Sequence, residues 1–210
     1  MGSSILTMTA EQGDHLEVYD LLRRRMNEHV ELTDEAFARC LPHFKLLQVV
    51  KGKPTLRAGE TAMHASFVIK GLFRTYVLDG NGQEHILQFS LPGWWCGDLG
   101  SFTSGSPSRF NVEALEDAEI LQISRSSWDV LVSDVPAFAQ YQLRIMENNL
   151  VAVQNRLVES ISLDARTRYD HMLAHFPDIF QRVPQYMIAS YLGMSRETLS
   201  RVRRRQGSGR

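Results

Sequence analysis

Three side chains near the C-terminal end carry the most specific chemistry in the chain: Arg196, Glu197 and Arg201. An arginine can donate two hydrogen bonds to guanine O6 and N7, and a glutamate can accept one from cytosine N4. Glu197 and Arg201 lie one helical turn apart, so a single helix face can present them to neighbouring base pairs. Ser200 falls on that same outward face. Ser195, Thr198 and the run Arg203-Arg204-Arg205 suit phosphate oxygens, contacts that position a protein on a duplex without reading sequence.

The residues around them read as two helices joined by a tight turn. Gln185 to Tyr191 forms the first helix, and Leu192-Gly193-Met194 the turn. Gly193 can take the positive φ that follows a helix end. Ser195 then caps the second helix through its hydroxyl. Ala189 is small where the helices cross, and Ile188, Leu192, Met194, Leu199 and Val202 fall where the pair needs apolar contacts. This is a helix-turn-helix pattern, in which the second helix enters a major groove. Charge agrees with it. The net charge of -1 divides into +5 from Ile161 onward, with nine arginines and no lysine, and -6 before it. A basic end on an acidic body suits a polyanionic partner, although a solvated basic helix has the same composition.

Ahead of that end the texture changes twice. To about Leu41 the pattern is helical, with Leu16, Tyr19, Leu22 and Met26 on one face and Thr33 as a cap before Asp34 and Glu35. From Phe44 to Ser124 come strand-like runs: LLQVVKG, TLRAGE, SFVIKGLFRTYVL, EHILQF and AEILQIS. Asp79-Gly80-Asn81-Gly82 marks a hairpin. Short strands without intervening helices suggest a sandwich or barrel. A long helix from about Pro136 to Ser160 follows, with Leu143, Met146, Leu150, Val153 and Leu157 at alternating spacings of three and four. That seam suits a parallel two-helix dimer and equally suits packing against the strands of the same chain.

Other chemistries find little support. No Ser-His-Asp, metal-triad or phosphate-loop constellation stands out, so no enzyme is expected. Two cysteines, Cys40 and Cys96, are too few for a disulfide framework or an iron–sulfur cluster and point to a reducing cytoplasm. Cys96 has no basic neighbour in sequence to activate it and is expected to be buried. Trp94 and Trp95 beside it suit core packing more than a ligand wall. His171 and His175, four apart, are two ligands without a third, so no metal is expected and an exposed polar face is. No apolar run spans a bilayer, and the N-terminus has no secretory pattern.

Taken together these motifs resemble the Crp/Fnr family of bacterial transcription regulators. The run from Gly193 to Arg201, GMSRETLSR, is similar to the family's recognition-helix motif, and the element order matches from Phe44 onward. Gly59, Gly71 and Gly97 sit where the family's nucleotide-binding roll has its turns. The resemblance implies an α+β fold. A cyclic-nucleotide-binding-like β-roll (a jelly roll) with flanking helices would occupy residues 1–134, and a dimerisation helix 135–161. A helix-turn-helix domain would occupy 162–210, with little or no room for the wing that classical members carry. It implies a homodimer through the Leu143–Leu157 seam on palindromic double-stranded DNA, with half-sites about one helical turn apart. RNA polymerase is a further partner if the protein activates.

The sensor departs from that family. Nucleotide-binding members carry Gly-Glu-Leu, whose glutamate holds the ribose hydroxyl, then an Arg-Ser pair whose arginine holds the cyclic phosphate. Here the first motif is Gly97-Asp98-Leu99, one methylene shorter, and the second is Ser108-Arg109, with the arginine one place late. In a strand, that shift turns Arg109 to the opposite face. Cyclic AMP is therefore not an expected ligand; an unidentified small-molecule effector, or none, is. The intervening FTSGSPSR reads as an anion loop. The alternative to a regulator is a ligand-binding signalling module whose helical tail docks a protein, a role that does not require the Arg196, Glu197 and Arg201 face. The arginine-rich end generates a first prediction. Binding to duplex DNA will weaken steeply as salt rises, because neutralised phosphates release counterions. Equal affinity at low and moderate salt in a mobility-shift titration would exclude it.

Overall fold

The computed structural model describes residues 15–207, with side chains from 18 to 204. Two helices open the described chain, α1 (His15–Asn27) and α2 (Asp34–Cys40). Thr33 caps α2 as its sequence predicts, its hydroxyl accepting from the Ala36 N–H at 3.1 Å. The strands are β1 (Phe44–Val49), β2 (Pro54–Leu56), β3 (His64–Lys70), β4 (Phe73–Leu78), β5 (Glu84–Ser90), β6 (Trp95–Cys96), β7 (Asn111–Ala114) and β8 (Ala118–Ser124). A short helix, α3 (Leu99–Ser104), interrupts them between β6 and β7. After them come α4 (Arg125–Asp134), the long α5 (Pro136–Ser162), α6 (Ala165–His175), α7 (Ile179–Arg182), α8 (Gln185–Tyr191) and α9 (Arg196–Gly207).

The strands form two four-stranded sheets, ordered β1-β8-β3-β6 and β2-β7-β4-β5. The strand β8 is central in the first, antiparallel to β1 from Phe44↔Ile123 to Val49↔Ala118 and to β3 from His64↔Ser124. Phe67, Val68, Phe73, Val112, Ile120, Leu121 and Ile123 are all fully buried in the common core. The continuous apolar run SFVIKGLFRTYVL is not one strand. Gly71, at φ +91°, breaks it so that β3 lies in one sheet and β4 in the other. A side chain there would also meet Ala118, whose Cβ is 2.6 Å from the position a Cβ would take. The turn at Asp79–Gly82 is a hairpin, closed by Asp79 N–H to the Gln83 carbonyl at 3.0 Å and by the Asp79 carboxylate accepting from Asn81 at 2.9 Å.

Aromatic packing fastens the helices to the first sheet. The Trp128 ring on α4 makes edge contacts with Trp95 at 5.4 Å, Phe102 at 5.4 Å and Phe138 at 5.3 Å between centroids. Residues of β6, α3 and α5 thus meet one ring. By contacts the chain separates into two compact units. One is the chain to Thr75 with Phe89–Met146, and the other is Tyr76–Gln88 with the chain from Glu147 on. The hairpin between β4 and β5 thus groups with the C-terminal helices. Ser190 on α8 donates to the Glu84 carbonyl at 3.1 Å and accepts from the Ile86 N–H at 2.9 Å. No helix of the described residues is long and apolar enough to cross a membrane.

The close approach at Gly71 generates a prediction. Gly71→Ala must strain a positive φ and push Ala118 aside, and will destabilise the chain by about 2–4 kcal/mol. A urea midpoint unchanged from the parent protein would contradict it.

Candidate nucleic-acid interface and sensor pocket

The two C-terminal helices form where their sequence places them. Pro184, extended at φ -55° and ψ 141°, precedes α8, where a fixed φ and a missing N–H cost nothing. Gly193 ends the turn at φ +64°. Ser195 caps α9, its hydroxyl accepting from the Thr198 N–H at 3.2 Å. Ile188, Ala189, Leu192, Leu199 and Val202 are buried between the helices, while Met194 is only half-buried. From α6, Arg166 donates to the Val202 carbonyl at 3.3 Å and to Asp170 at 2.6 Å, which ties α9 to a third helix.

That packing leaves one face of α9 open. Ser195, Arg196, Glu197, Ser200, Arg201 and Arg204 are exposed; Thr198 and Arg203 are half-buried. The side chain of Arg205 lies outside the described residues. Glu197 is held below the usual carboxylate range by hydrogen bonds from its own N–H and from the Ser195 hydroxyl, so it stays an acceptor. Arg201 reaches toward the Thr198 hydroxyl at 3.5 Å. The arrangement offers two guanidinium donors and one carboxylate acceptor from adjacent turns, flanked by further arginines. Sequence reasoning passed over Tyr186. Its ring lies under the Arg196 guanidinium, 4.9 Å from centroid to Cζ. An aromatic beside Gln185, off the buried stripe of α8, was the available signal.

The seam residues lie in the open. On the single chain Leu143, Leu150, Val153 and Leu157 are 56–60% exposed and Met146 37%. Phe138, Tyr141 and Gln142, earlier in α5, are buried. Val151, Val158 and Ile161 are exposed beside the seam, so the apolar face is wider than a strict two-position stripe.

In the sensor, the segment read as an anion loop is partly helix. Asp98 caps α3, one carboxylate oxygen accepting from the Ser101 N–H at 3.1 Å. Its other oxygen accepts from the Ser108 hydroxyl at 2.7 Å, and that hydroxyl accepts from the Phe110 N–H at 2.9 Å. Both side chains are buried. Asp98 and Ser108 are thus brought together but satisfy each other, and a carboxylate on this shorter stem sits where capping requires it. Leu99 is exposed at the start of α3, and Gly97 has φ +140°. Arg109 is not in a strand, so no face is reversed. It lies exposed in a bend just before β7.

Beside Gly97 a cavity of about 250 Å³ is lined by Thr61, His64, Ser66, Cys96 and Gln122, and no lysine or arginine lines it. Burial, then Lys45, lowers the His64 pKa, which favours the neutral ring. This cavity lacks the cation a phosphate would need. Cys40 and Cys96 are both buried and free. Trp95 packs on Phe67 at 5.5 Å and on Trp128, in the core as its composition suggested. His171 and His175 are exposed, with His171 2.9 Å from Glu159 and His175 2.8 Å from the His171 carbonyl.

Comparison with known proteins agrees with this architecture. Residues 46–134 match the cyclic nucleotide-binding domain family. The cAMP-activated global transcriptional regulator CRP of Haemophilus influenzae is 26% identical over 172 residues, 77% of each chain. The chain carries a cyclic nucleotide-binding domain, and its relatives are Crp/Fnr regulators. Solved folds extend the likeness over the C-terminal helices. FixK2 of Bradyrhizobium japonicum superposes with a TM-score of 0.68 at 21% identity, covering 79% of this chain and 85% of that one. The c-di-GMP responsive global regulator CLP of Xanthomonas campestris also gives 0.68 at 21%, covering 84% and 93%. The α+β sensor, long helix and C-terminal helices are those of a Crp/Fnr-type fold.

The buried thiols generate a prediction. Burial pushes the Cys40 thiol up to about 11 and Cys96 up to about 12. At pH 8 both are protonated, so iodoacetamide will label neither in the native protein and both after denaturation. Rapid native labelling of either would refute this.

Proposed function

We propose that this Crp/Fnr-type chain is a cytoplasmic, sequence-specific DNA-binding transcription regulator and not an enzyme. It acts as a homodimer on palindromic sites. The observation that carries the reading is the open face of α9. Arg196, Glu197 and Arg201 project together from a helix whose opposite face is buried against α8. Burial alone does not require that combination, and it fits base edges of a G·C pair. Ser195, Thr198, Ser200, Arg203, Arg204 and Arg205 serve the backbone and the groove rim.

Dimerisation follows from the exposed seam. Two copies of α5 pairing in parallel would cover Leu143, Met146, Leu150, Val153 and Leu157 on each. At roughly 1.5–3 kcal/mol for each fully buried apolar side chain, ten such side chains are comparable to or exceed an association cost of about 4–15 kcal/mol. Pairing sets the two recognition helices against successive major-groove faces.

The sensor is proposed not to take cyclic AMP in the usual way. Asp98 and Ser108 satisfy each other and Arg109 stands in the open, so ribose and phosphate would each lose a partner. Gly97, Asp98, Leu99, Ser108 and Arg109 are proposed as the remnant of that pocket. One relative is named for cyclic AMP and one neighbour for c-di-GMP, so the fold alone does not dictate the effector. An effector acts only by binding the two dimer states unequally. The segment 160–164, where α5 ends and Asp164 caps α6, is the proposed hinge. The hairpin held by Ser190 on α8 offers a second route. RNA polymerase becomes a partner if the dimer activates.

Selection from pooled random duplexes, with and without cyclic AMP, tests this reading. A palindrome containing G·C pairs is expected without ligand, and Arg201→Ala will cost about 1–3 kcal/mol and relax one position of each half-site. Enrichment only with cyclic AMP would overturn the pocket reading. No enrichment in either condition would favour a protein-docking role.

A further inference from the structure

Arg196 opens α9 in an electrostatically poor place. The first turn of a helix carries partial positive charge, which repels a cation. Arginine also has about 2 kcal/mol of rotamer entropy to lose when it is held still. An exposed arginine here, unsupported, would sample many directions and read no base well. Yet its guanidinium lies over the ring of Tyr186, 4.9 Å from the centroid. Tyr186 is the second residue of α8, 37% exposed, and the crossing of the two helices brings it beneath the start of α9.

We propose that Tyr186 is a positioning residue for DNA readout, holding Arg196 in a groove-facing orientation before the duplex arrives. The proposal rests on the DNA-binding reading above and adds to it a residue that need not touch a base. A ring beneath a guanidinium takes up one face of the plane and leaves the N–H edges free. Those edges are what a guanine or a phosphate would receive. The ring offsets the helix-end repulsion and reduces the entropy lost on binding. Its contribution therefore falls on the selectivity of Arg196, beyond general affinity.

A double-mutant cycle on the full chain tests it, using the palindrome selected by the parent protein and the same duplex substituted at the half-site position that Arg196→Ala relaxes. Tyr186→Ala is expected to lower discrimination at that position by about 3- to 10-fold. Tyr186→Phe, which keeps the ring, is expected to retain it. In the Arg196→Ala background Tyr186→Ala should change discrimination no further. Thermal melts of each variant report folding separately. Equal effects of Tyr186→Ala in both backgrounds would overturn the proposal, and so would equal loss in the Phe and Ala variants, which would point to the hydroxyl on a phosphate. A parent protein that selects no sequence would overturn the DNA-binding reading and this proposal with it; a parent that selects a palindrome but shows no coupling would overturn the proposal alone.

Discussion

Helix α5 leaves one apolar face uncovered, and much else follows from that. Phe138 and Tyr141 are buried with the sensor core, and Trp95 donates to the Tyr141 hydroxyl at 3.3 Å. Further along the same helix Leu143, Met146, Leu150, Val153 and Leu157 stand in the open, while Ile145 still packs against the core. An amphipathic helix draws most of its stability from packing that face. The uncovered apolar face of this 27-residue helix has a strong physical reason to acquire a second surface, and an identical helix is the simplest that matches it. The division of the chain into compact units falls within this helix, after Met146.

The sensor unit has its own constraint, the edge packing of several rings on Trp128. Because Phe102 belongs to α3 and Phe138 to α5, a shift of α3 is felt by the same ring that seats the long helix. The segment from Gly97 to Arg109 closes on itself. Its acid caps a helix and its serine bonds that acid, which removes the need for a ligand to complete the local hydrogen bonding.

In the C-terminal unit, the reading face depends on what lies behind it. Leu199 is fully buried and Val202 nearly so, and Arg166 bonds the Val202 carbonyl. With one side of α9 so fixed, Arg196, Glu197, Ser200 and Arg201 are left on the exposed side. Tyr186 then reaches Arg196 because the turn at Gly193 sets the crossing of α8 and α9. The hydrogen bonds from Ser190 to β5 add a constraint on α8 that lies far away in sequence.

Local rules determined much of this protein. Caps at Thr33 and Ser195, the glycine at 193, the turn at Asp79–Gly82 and the apolar stripes of α8 and α9 are short-range signals, each read within a few residues. The seam on α5 was equally legible, but its periodicity left open whether the strands or a second chain would cover it; on the single chain its side chains are exposed. Other features depended on contacts between distant residues. The run through Gly71 divides between two sheets at its positive φ, and the close approach of Ala118 to that glycine is a relation no local pattern contains. The helix around Ser101 has a local cap in Asp98, but its Phe102 packs on Trp128, far away in sequence. Arg109 stands in a bend, outside any strand, so face alternation had nothing to act on. The contacts of Tyr186 with Arg196, and of Ser190 with β5, arise where elements meet, and sequence specifies such meetings only through the whole fold.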